Sequence, residues 1–486
     1  MKSSGRGAER MDLDHSDWAG EGTPRRRTAA DRRAAERRRA AAEPPAPERR
    51  RPADRRASDR RASAGGGTQR KPAVTRRATR ATPQAALAPG VSERRALMLV
   101  TFLLLVYGLV MAYSASSAEA YFQHGSSFYF FGRQVVWVGV GVGAMYLLSR
   151  VDYARFRKAA VPLAGLALAG LMLVLVPGIG VPINGARRWI FLGGQGVQPS
   201  EFAKLAAVML VATLIVKRPR EVLTLGGFLR LAGIAIVPAA ALIMLEPDLG
   251  TTLVLVAAVV AVLVAAGAPL RYLLGLSTAG VVAVLLLIAV EPYRLQRMIT
   301  FFDPWKDAQH TGYQATQSLI SIASGSFFGI GLGNSVQKFG FLPEQTTDMI
   351  TGIIGEELGL IGLLVLLALY VALAWICFRI ALNCKETFGK LLATGITAIV
   401  IGQACINVGA ALGLLPLTGV PLPLVSLGGT SMLMVLAGLG IMLNIATNRR
   451  SHIAVSSSRR GGDPSPRRSA QSGTPARTPS RASARR

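Results

Sequence analysis

From Ala96 onward the chain is a series of apolar runs, each long enough, or nearly so, to cross a hydrocarbon core of about 30 Å as a helix. The runs fall near 96–115, 133–149, 159–176, 200–216, 229–245, 249–266, 270–290, 349–378, 388–412 and 424–446. They predict an all-α polytopic membrane protein of about ten transmembrane helices. The runs 229–245 and 249–266 could pass for one long span, but Glu246-Pro247-Asp248 interrupts them. Two charges flanking a proline belong to a turn at the membrane surface. The polar breaks are unequal: most are short, whereas 177–199 and 291–348 are long, the latter lying between the seventh and eighth helices. Long connections on a rigid scaffold usually carry function.

Charge sharpens this picture. Hydrophobic residues make up 51% of the chain and charged residues only 17%, with a mean hydropathy of +0.38, yet the net charge is +28. The two properties are segregated: residues 1–95 carry a net +13 and residues 447–486 a net +9, leaving +6 for the apolar middle. The expected division is therefore a disordered basic tail over 1–95, a membrane domain over 96–447 and a second disordered basic tail over 448–486. Such tails are attracted to anionic lipid or to an acidic partner. No nucleic acid is expected, because neither aromatic interleaving nor a binding fold accompanies the charge. Nothing apolar follows Met1 for more than ninety residues, so the first apolar run is expected to serve as an uncleaved anchor. Cys377, Cys384 and Cys405 lie in or beside apolar runs without disulfide or metal-ligand spacing, and read as small apolar fillers.

Positive charge in the short loops sets the orientation. With the N-tail cytoplasmic, the inner connections hold Arg150, Arg155, Arg157 and Lys158, then Lys217, Arg218, Arg220 and Arg230, then Arg271, then Arg379, Lys385 and Lys390. Both termini are then cytoplasmic, and the two long connections face outward. The outer stretches include Pro182–Ile190, Gln198–Lys204, Glu246–Thr252, Phe301–Trp305 and Gly329–Lys338. The protein is expected to work at its extracytoplasmic face.

The organising stretch is Pro343–Ile350, followed by Gly355-Glu356-Glu357-Leu358-Gly359. Carboxylates at the mouth of a membrane helix are costly, and so mark a functional site by default. An Asp at the position of Asp348 can equally cap free backbone donors at the helix start. Glu201 and Lys204 share one helix face a turn below the water. They read either as a self-neutralising ion pair or as a polar wall near Asp348. Gly428 and Gly429, after Ser426, fit either phosphate approach or close helix packing.

The run Asn407-Val408, then Pro416–Ser431 with its Ser426-Leu427-Gly428-Gly429, resembles the signature of the SEDS family of bacterial membrane proteins (FtsW, RodA and SpoVE). Tyr113–Ser117, Gly185–Trp189, Gln198–Glu201, Glu246–Thr251 and Pro343–Glu357 match in the same order, so the resemblance covers 96–447. Gly333–Lys338 and the polar tails are more similar to the FtsW branch. The family pattern has His, an aromatic and Tyr where this chain has Thr346, Met349 and Leu427. The resemblance implies a peptidoglycan glycosyltransferase that polymerises lipid II during cell division. It also implies a class B penicillin-binding protein as the crosslinking partner, other divisome proteins reached through the basic tails, and residence in the bacterial inner membrane at the septum. By motif, Asp348 is the essential acidic residue, with Glu201, Lys204, Arg188 and Trp189 lining a central cavity.

The chemistry such a reaction needs can be argued separately. A base must take a proton from an acceptor hydroxyl, and an Asp in a partly dry cavity has the raised basicity for it. The departing diphosphate needs Arg, Lys or a divalent cation. Lys204, Arg188, Arg294 and Arg297 are candidates, with Glu344, Ser426, Gly428 and Gly429 as further substrate contacts. A cation such as Mg²⁺ or Mn²⁺ would be held loosely by carboxylates and substrate phosphates, and no organic cofactor is expected. Two alternatives share the composition: a lipid II flippase or transporter, and a non-catalytic divisome scaffold.

Overall fold

The computed structural model describes residues 91–448 apart from positions 184 and 291, with the backbone alone at 91, 192, 292–294 and 448. Both expected basic tails lie outside these residues, except that the first helix already begins at Val91, five residues before the expected start of the membrane domain. The helices are α1 (Val91–His124), α2 (Tyr129–Arg150), α3 (Ala154–Leu175), α4 (Pro199–Lys217), α5 (Leu225–Leu245) and α6 (Leu249–Ala265). They continue with α7 (Leu270–Val290), α8 (Pro292–Phe302), α9 (Tyr313–Ser324), α10 (Ile350–Asn383), α11 (Thr387–Ala411) and α12 (Gly429–Asn448). Among the described residues nine helices are long and apolar enough to cross a membrane, and the tenth expected run forms α6, a shorter apolar helix. This is an all-α polytopic membrane protein.

α4 and α12 are buried along most of their length, whereas α2, α3 and α7 leave broad apolar faces uncovered. In lipid such faces carry no penalty, and helices associate instead by close packing. The α2–α12 crossing shows this: a Cβ at Gly440 would fall 2.5 Å from the Met145 carbonyl oxygen, so a larger residue would push the helices apart.

Two connections contain structure that the apolar pattern did not predict. Residues 180–197 form a three-stranded antiparallel sheet, β1 (Gly180–Ile183), β2 (Ala186–Leu192) and β3 (Gln195–Val197). Ile183 pairs with Ala186 and Leu192 with Gln195, and the turn between β2 and β3 is two residues long, Gly193-Gly194. Such a dipeptide suits the positive φ this turn demands, and Gly193 and Gly194 have φ of 58° and 77°. The long 291–348 connection contains α8, α9 and a turn of 3₁₀ helix (Gln337–Phe339).

α10 is broken at Gly359, where φ is 64° and ψ −161°. The break releases backbone groups, and residues 326–331 satisfy them. Leu360 and Ile361 N–H donate to the Ser326 and Phe327 carbonyls (2.9 and 3.2 Å), and Ile330 and Gly331 N–H donate to the Glu356 and Glu357 carbonyls (3.0 Å each). Irregular backbone at membrane depth is tolerated only where protein completes its hydrogen bonds. The connection after α11 follows the same rule. Val420, Leu422, Leu424, Val425 and Ser426 are all buried. The Tyr370 hydroxyl donates to the Pro423 carbonyl, and Gln134 Nε2 to that of Ser426 at 3.1 Å.

Helix direction alternates along the chain. The sheet, the 246–248 turn, the 291–349 segment and the 412–428 loop therefore all fall at one end of the bundle.

Candidate functional site

Asp348 lies at that end, immediately before α10, and is half-buried. It does not cap the helix: the cap position is Met349, and no side chain accepts there. Its backbone is held from two sides. Asn407, near the end of α11, donates Nδ2 to the carbonyls of both Asp348 and Val420 (2.8 Å each), while its Oδ1 accepts from the Thr351 hydroxyl at 2.9 Å. The 412–428 loop grips the residues just before Asp348. Leu427 N–H donates to the Thr346 carbonyl at 2.9 Å and the Ser426 hydroxyl to that of Thr347. On its side-chain face, a Cβ at Gly419 would sit 3.3 Å from Asp348 Oδ2, and Gly419 has φ of 72°.

The charge around this carboxyl is mixed. Removal from water is the main influence, reinforced by the negative charges of Glu344 and Asp248 and opposed by Arg188 and Arg297, and the carboxyl is pushed up to about 7. A group poised near neutrality can accept a proton at physiological pH. Asp248 is fixed as the N-cap of α6, accepting Thr251 N–H at 3.0 Å and the Thr251 hydroxyl at 2.8 Å, with Gln198 Nε2 at 3.3 Å. Its turn packs on the 412–428 loop so closely that a Cβ at Gly250 would lie 2.6 Å from the Thr418 carbonyl oxygen. Arg188, on β2, donates Nε to the Glu246 carbonyl at 2.9 Å and Nη2 to that of Pro247. Arg297, on α8, donates to the Leu417 carbonyl at 3.1 Å. Five separate stretches of chain thus deliver Arg188, Asp248, Arg297, Asp348 and Gly419 to one place.

Other expected site residues are committed elsewhere. Lys204 Nζ meets Glu201 Oε1 at 2.6 Å with both side chains buried, so this pair neutralises itself. Glu201 borders a narrow crevice between α4, α11 and α12 whose other lining residues are apolar. Trp189 does not accompany Arg188, because neighbours on a strand point to opposite faces; its indole lies over Gly196, 3.0 Å from where a Cβ would be. The Ser426 hydroxyl is spent on the loop, accepting Leu422 N–H at 2.8 Å while donating to Thr347. Gly429 allows close packing: a Cβ there would lie 2.4 Å from the Trp137 ring. Gly428 is half-buried, with only ordinary contacts around its Cα. Glu344 is exposed and accepts from the Thr347 hydroxyl at 2.9 Å. The Arg294 side chain lies outside the described residues.

Glu356 and Glu357, grouped with Asp348 by sequence, lie inside α10 and hold the re-entrant segment instead. Glu356 accepts Val336 N–H at 3.0 Å and the Ser335 hydroxyl. Glu357 accepts the Ser114 hydroxyl at 2.6 Å and has Lys338 Nζ at 3.7 Å. A resident metal is poorly served by these residues: among those described, no three of His, Cys, Asp and Glu come together as a ligand set. A divalent cation there would depend on phosphates brought by a substrate.

A bundle of apolar helices that gathers a raised carboxyl and two guanidiniums at one end defines a multi-pass membrane protein. The chain belongs to the cell cycle protein family that groups FtsW, RodA and SpoVE, which matches residues 94–451. It is 39% identical over 355 residues to the stage V sporulation protein E of Bacillus subtilis, covering 73% of this chain and 97% of that one. It is 43% identical over 354 residues to a probable peptidoglycan glycosyltransferase FtsW of Thioalkalivibrio sulfidiphilus, covering 72% and 88%. Among solved structures it resembles a chain of a peptidoglycan synthase complex that coordinates polymerization and crosslinking (TM-score 0.61, 30% identity, covering 73% and 98%). It also resembles the rod shape determining protein RodA of Thermus thermophilus (TM-score 0.55, 29% identity, covering 73% and 97%).

Proposed function

We infer that this chain is a peptidoglycan glycosyltransferase that polymerises lipid II into glycan strands during cell division. Relatives named as glycosyltransferases, aligned over nearly their whole length, support this reading. The single structural observation that carries it is the Asp348 carboxyl, raised to about 7 and flanked by Arg188 and Arg297. In the reaction, the acceptor hydroxyl oxygen bonds to the donor's anomeric carbon, and its proton passes to the Asp348 carboxylate. The bond from that carbon to the phosphate oxygen breaks, and its electron pair leaves with the lipid diphosphate. Arg188 and Arg297 offset the charge that develops there, in a site where reduced water strengthens the effect.

The site faces the outside of the cytoplasmic membrane on this reading. Arg150, Arg155, Lys217, Arg220, Arg271, Arg379 and Lys385 fall at the opposite end of the bundle, so positive charge puts that end inside together with both termini. The working partner is a class B penicillin-binding protein at the division septum, in keeping with the likeness to a synthase complex. A flippase would place functional polar groups along a path through the bilayer. Here the buried charged pair Glu201–Lys204 neutralises itself, and the raised carboxyl and its two guanidiniums lie at one end of the bundle. The test is polymerisation of lipid II by the purified chain with its transpeptidase, read as glycan length. Asp348→Ala and Asp348→Asn are expected to abolish strand growth while leaving the protein folded. Wild-type strand lengths from either variant would refute the assignment of the base.

A further inference from the structure

Glu246 is a buried acidic group that the mechanism above does not use. It ends α5, its side chain is fully buried, and neither carboxylate oxygen has a hydrogen-bond partner among the described residues. An ionised carboxylate so placed would be expensive, whereas a protonated one costs far less. The nearby guanidinium does not pair with it. Arg188 spends Nε and Nη2 on the backbone carbonyls of Glu246 and Pro247, gripping the turn rather than the acid. Burial and the charge of Asp248 outweigh Arg188, and the Glu246 carboxyl is pushed up to about 8. The same Arg188 and Asp248 act on Asp348. The charged groups acting on the two carboxyls are therefore Asp248 and Arg188 for Glu246, and Glu344, Asp248, Arg188 and Arg297 for Asp348. Glu201 on α4 is committed to Lys204.

We propose that Glu246 is a positioning residue acting through Arg188: while neutral it leaves the guanidinium's charge to Asp348 and to the departing diphosphate, and on losing its proton it draws that charge away. This rests on the polymerase reading for its consequence, though not for its chemistry. Ionised Glu246 makes Asp348 hold its proton more tightly and makes a diphosphate less welcome, so both effects slow strand growth. The signs agree: the site needs Asp348 ionised and Glu246 neutral, and burial together with the charge of Asp248 raises both carboxyls.

The test is the pH profile of lipid II polymerisation by the full chain with its transpeptidase, each variant normalised to its own rate at pH 7. Wild type is expected to lose rate above about pH 8 and to level off at a lower plateau once Glu246 is ionised, because the ionised form is slowed and keeps its base. Glu246→Gln cannot ionise, so its alkaline limb is expected to begin at least a pH unit higher while its acid limb stays in place. A purely structural role would lower the whole profile without moving that limb. Infrared difference spectroscopy supplies a second reading that does not need activity. A protonated-carboxyl band present at neutral pH, titrating near 8 and missing in Glu246→Gln, supports the proposal. An unmoved alkaline limb, or no such band in the wild type, overturns it. If the band is present but no polymerisation occurs at any pH, the glycosyltransferase reading fails while the protonation of Glu246 stands.

Discussion

Asn407 gives the most direct access to how the fold holds Asp348. One amide makes three contacts that tie α11, the start of α10 and the 412–428 loop together: Asp348 and Val420 carbonyls at 2.8 Å and the Thr351 hydroxyl at 2.9 Å. Asn407→Ala removes all three at a residue only 1% exposed, so water cannot readily replace them. Stranding a buried polar group costs about 1–3 kcal/mol, and with partial relaxation the three together should cost about 3–5 kcal/mol of stability. The second effect falls on rate. The amide fixes the backbone of Asp348, the proposed base, and a displacement of about 1 Å at a catalytic group can cost about 100-fold in turnover. Asn407→Asp keeps the acceptor for Thr351 but loses both donors and adds a charge beside Asp348, and should be worse than Ala. The measurements are thermal unfolding of the detergent-solubilised protein and lipid II polymerisation per folded molecule. Wild-type stability and wild-type rate in Asn407→Ala would refute the reasoning. Lost stability with an unchanged rate would show that the clamp supports the fold without placing the base.

The remaining expectations test other contacts. Below about pH 7 the wild-type rate should fall as Asp348 takes up a proton; Glu344→Gln, by removing one of the negative charges that raise it, should move this acid limb to lower pH, and an unmoved limb would remove Glu344 from the site's electrostatics. Lys204→Met leaves Glu201 buried and unpaired and should destabilise by about 3–5 kcal/mol, whereas Glu201→Leu combined with Lys204→Met should recover most of it, both read as unfolding midpoints. Gly359→Ala places a side chain at φ 64° and a Cβ 2.4 Å from Gly329 N, so it should cost about 3 kcal/mol or more and loosen the re-entrant segment, measured as faster amide hydrogen exchange over 326–331.

The one-dimensional pattern was enough to determine the ten apolar helices, nine of them long enough to span, because an apolar run of membrane length has few other fates. It also determined the Glu246-Pro247-Asp248 turn and the clustering of motif-bearing loops at one end, since alternating spans leave those loops no other place. The sheet at 180–197 was not read from the apolar runs, which do not register it, although Gly193-Gly194 suits the tight turn between β2 and β3. What only the tertiary structure decided is which charges are free to act. Glu201, Glu356 and Glu357 look as available as Asp348 along the chain, yet each is engaged by a buried partner, and Ser114 reaches Glu357 across 243 positions. Asn407 is an unremarkable polar residue in a helix until the fold sets it against Asp348 and Val420. Glu246 differs from any loop glutamate only because packing removes its water and supplies no hydrogen bond in return. A side chain's proton affinity depends on its solvent and its neighbours, and in this protein the neighbours come from stretches of chain that sequence order keeps apart.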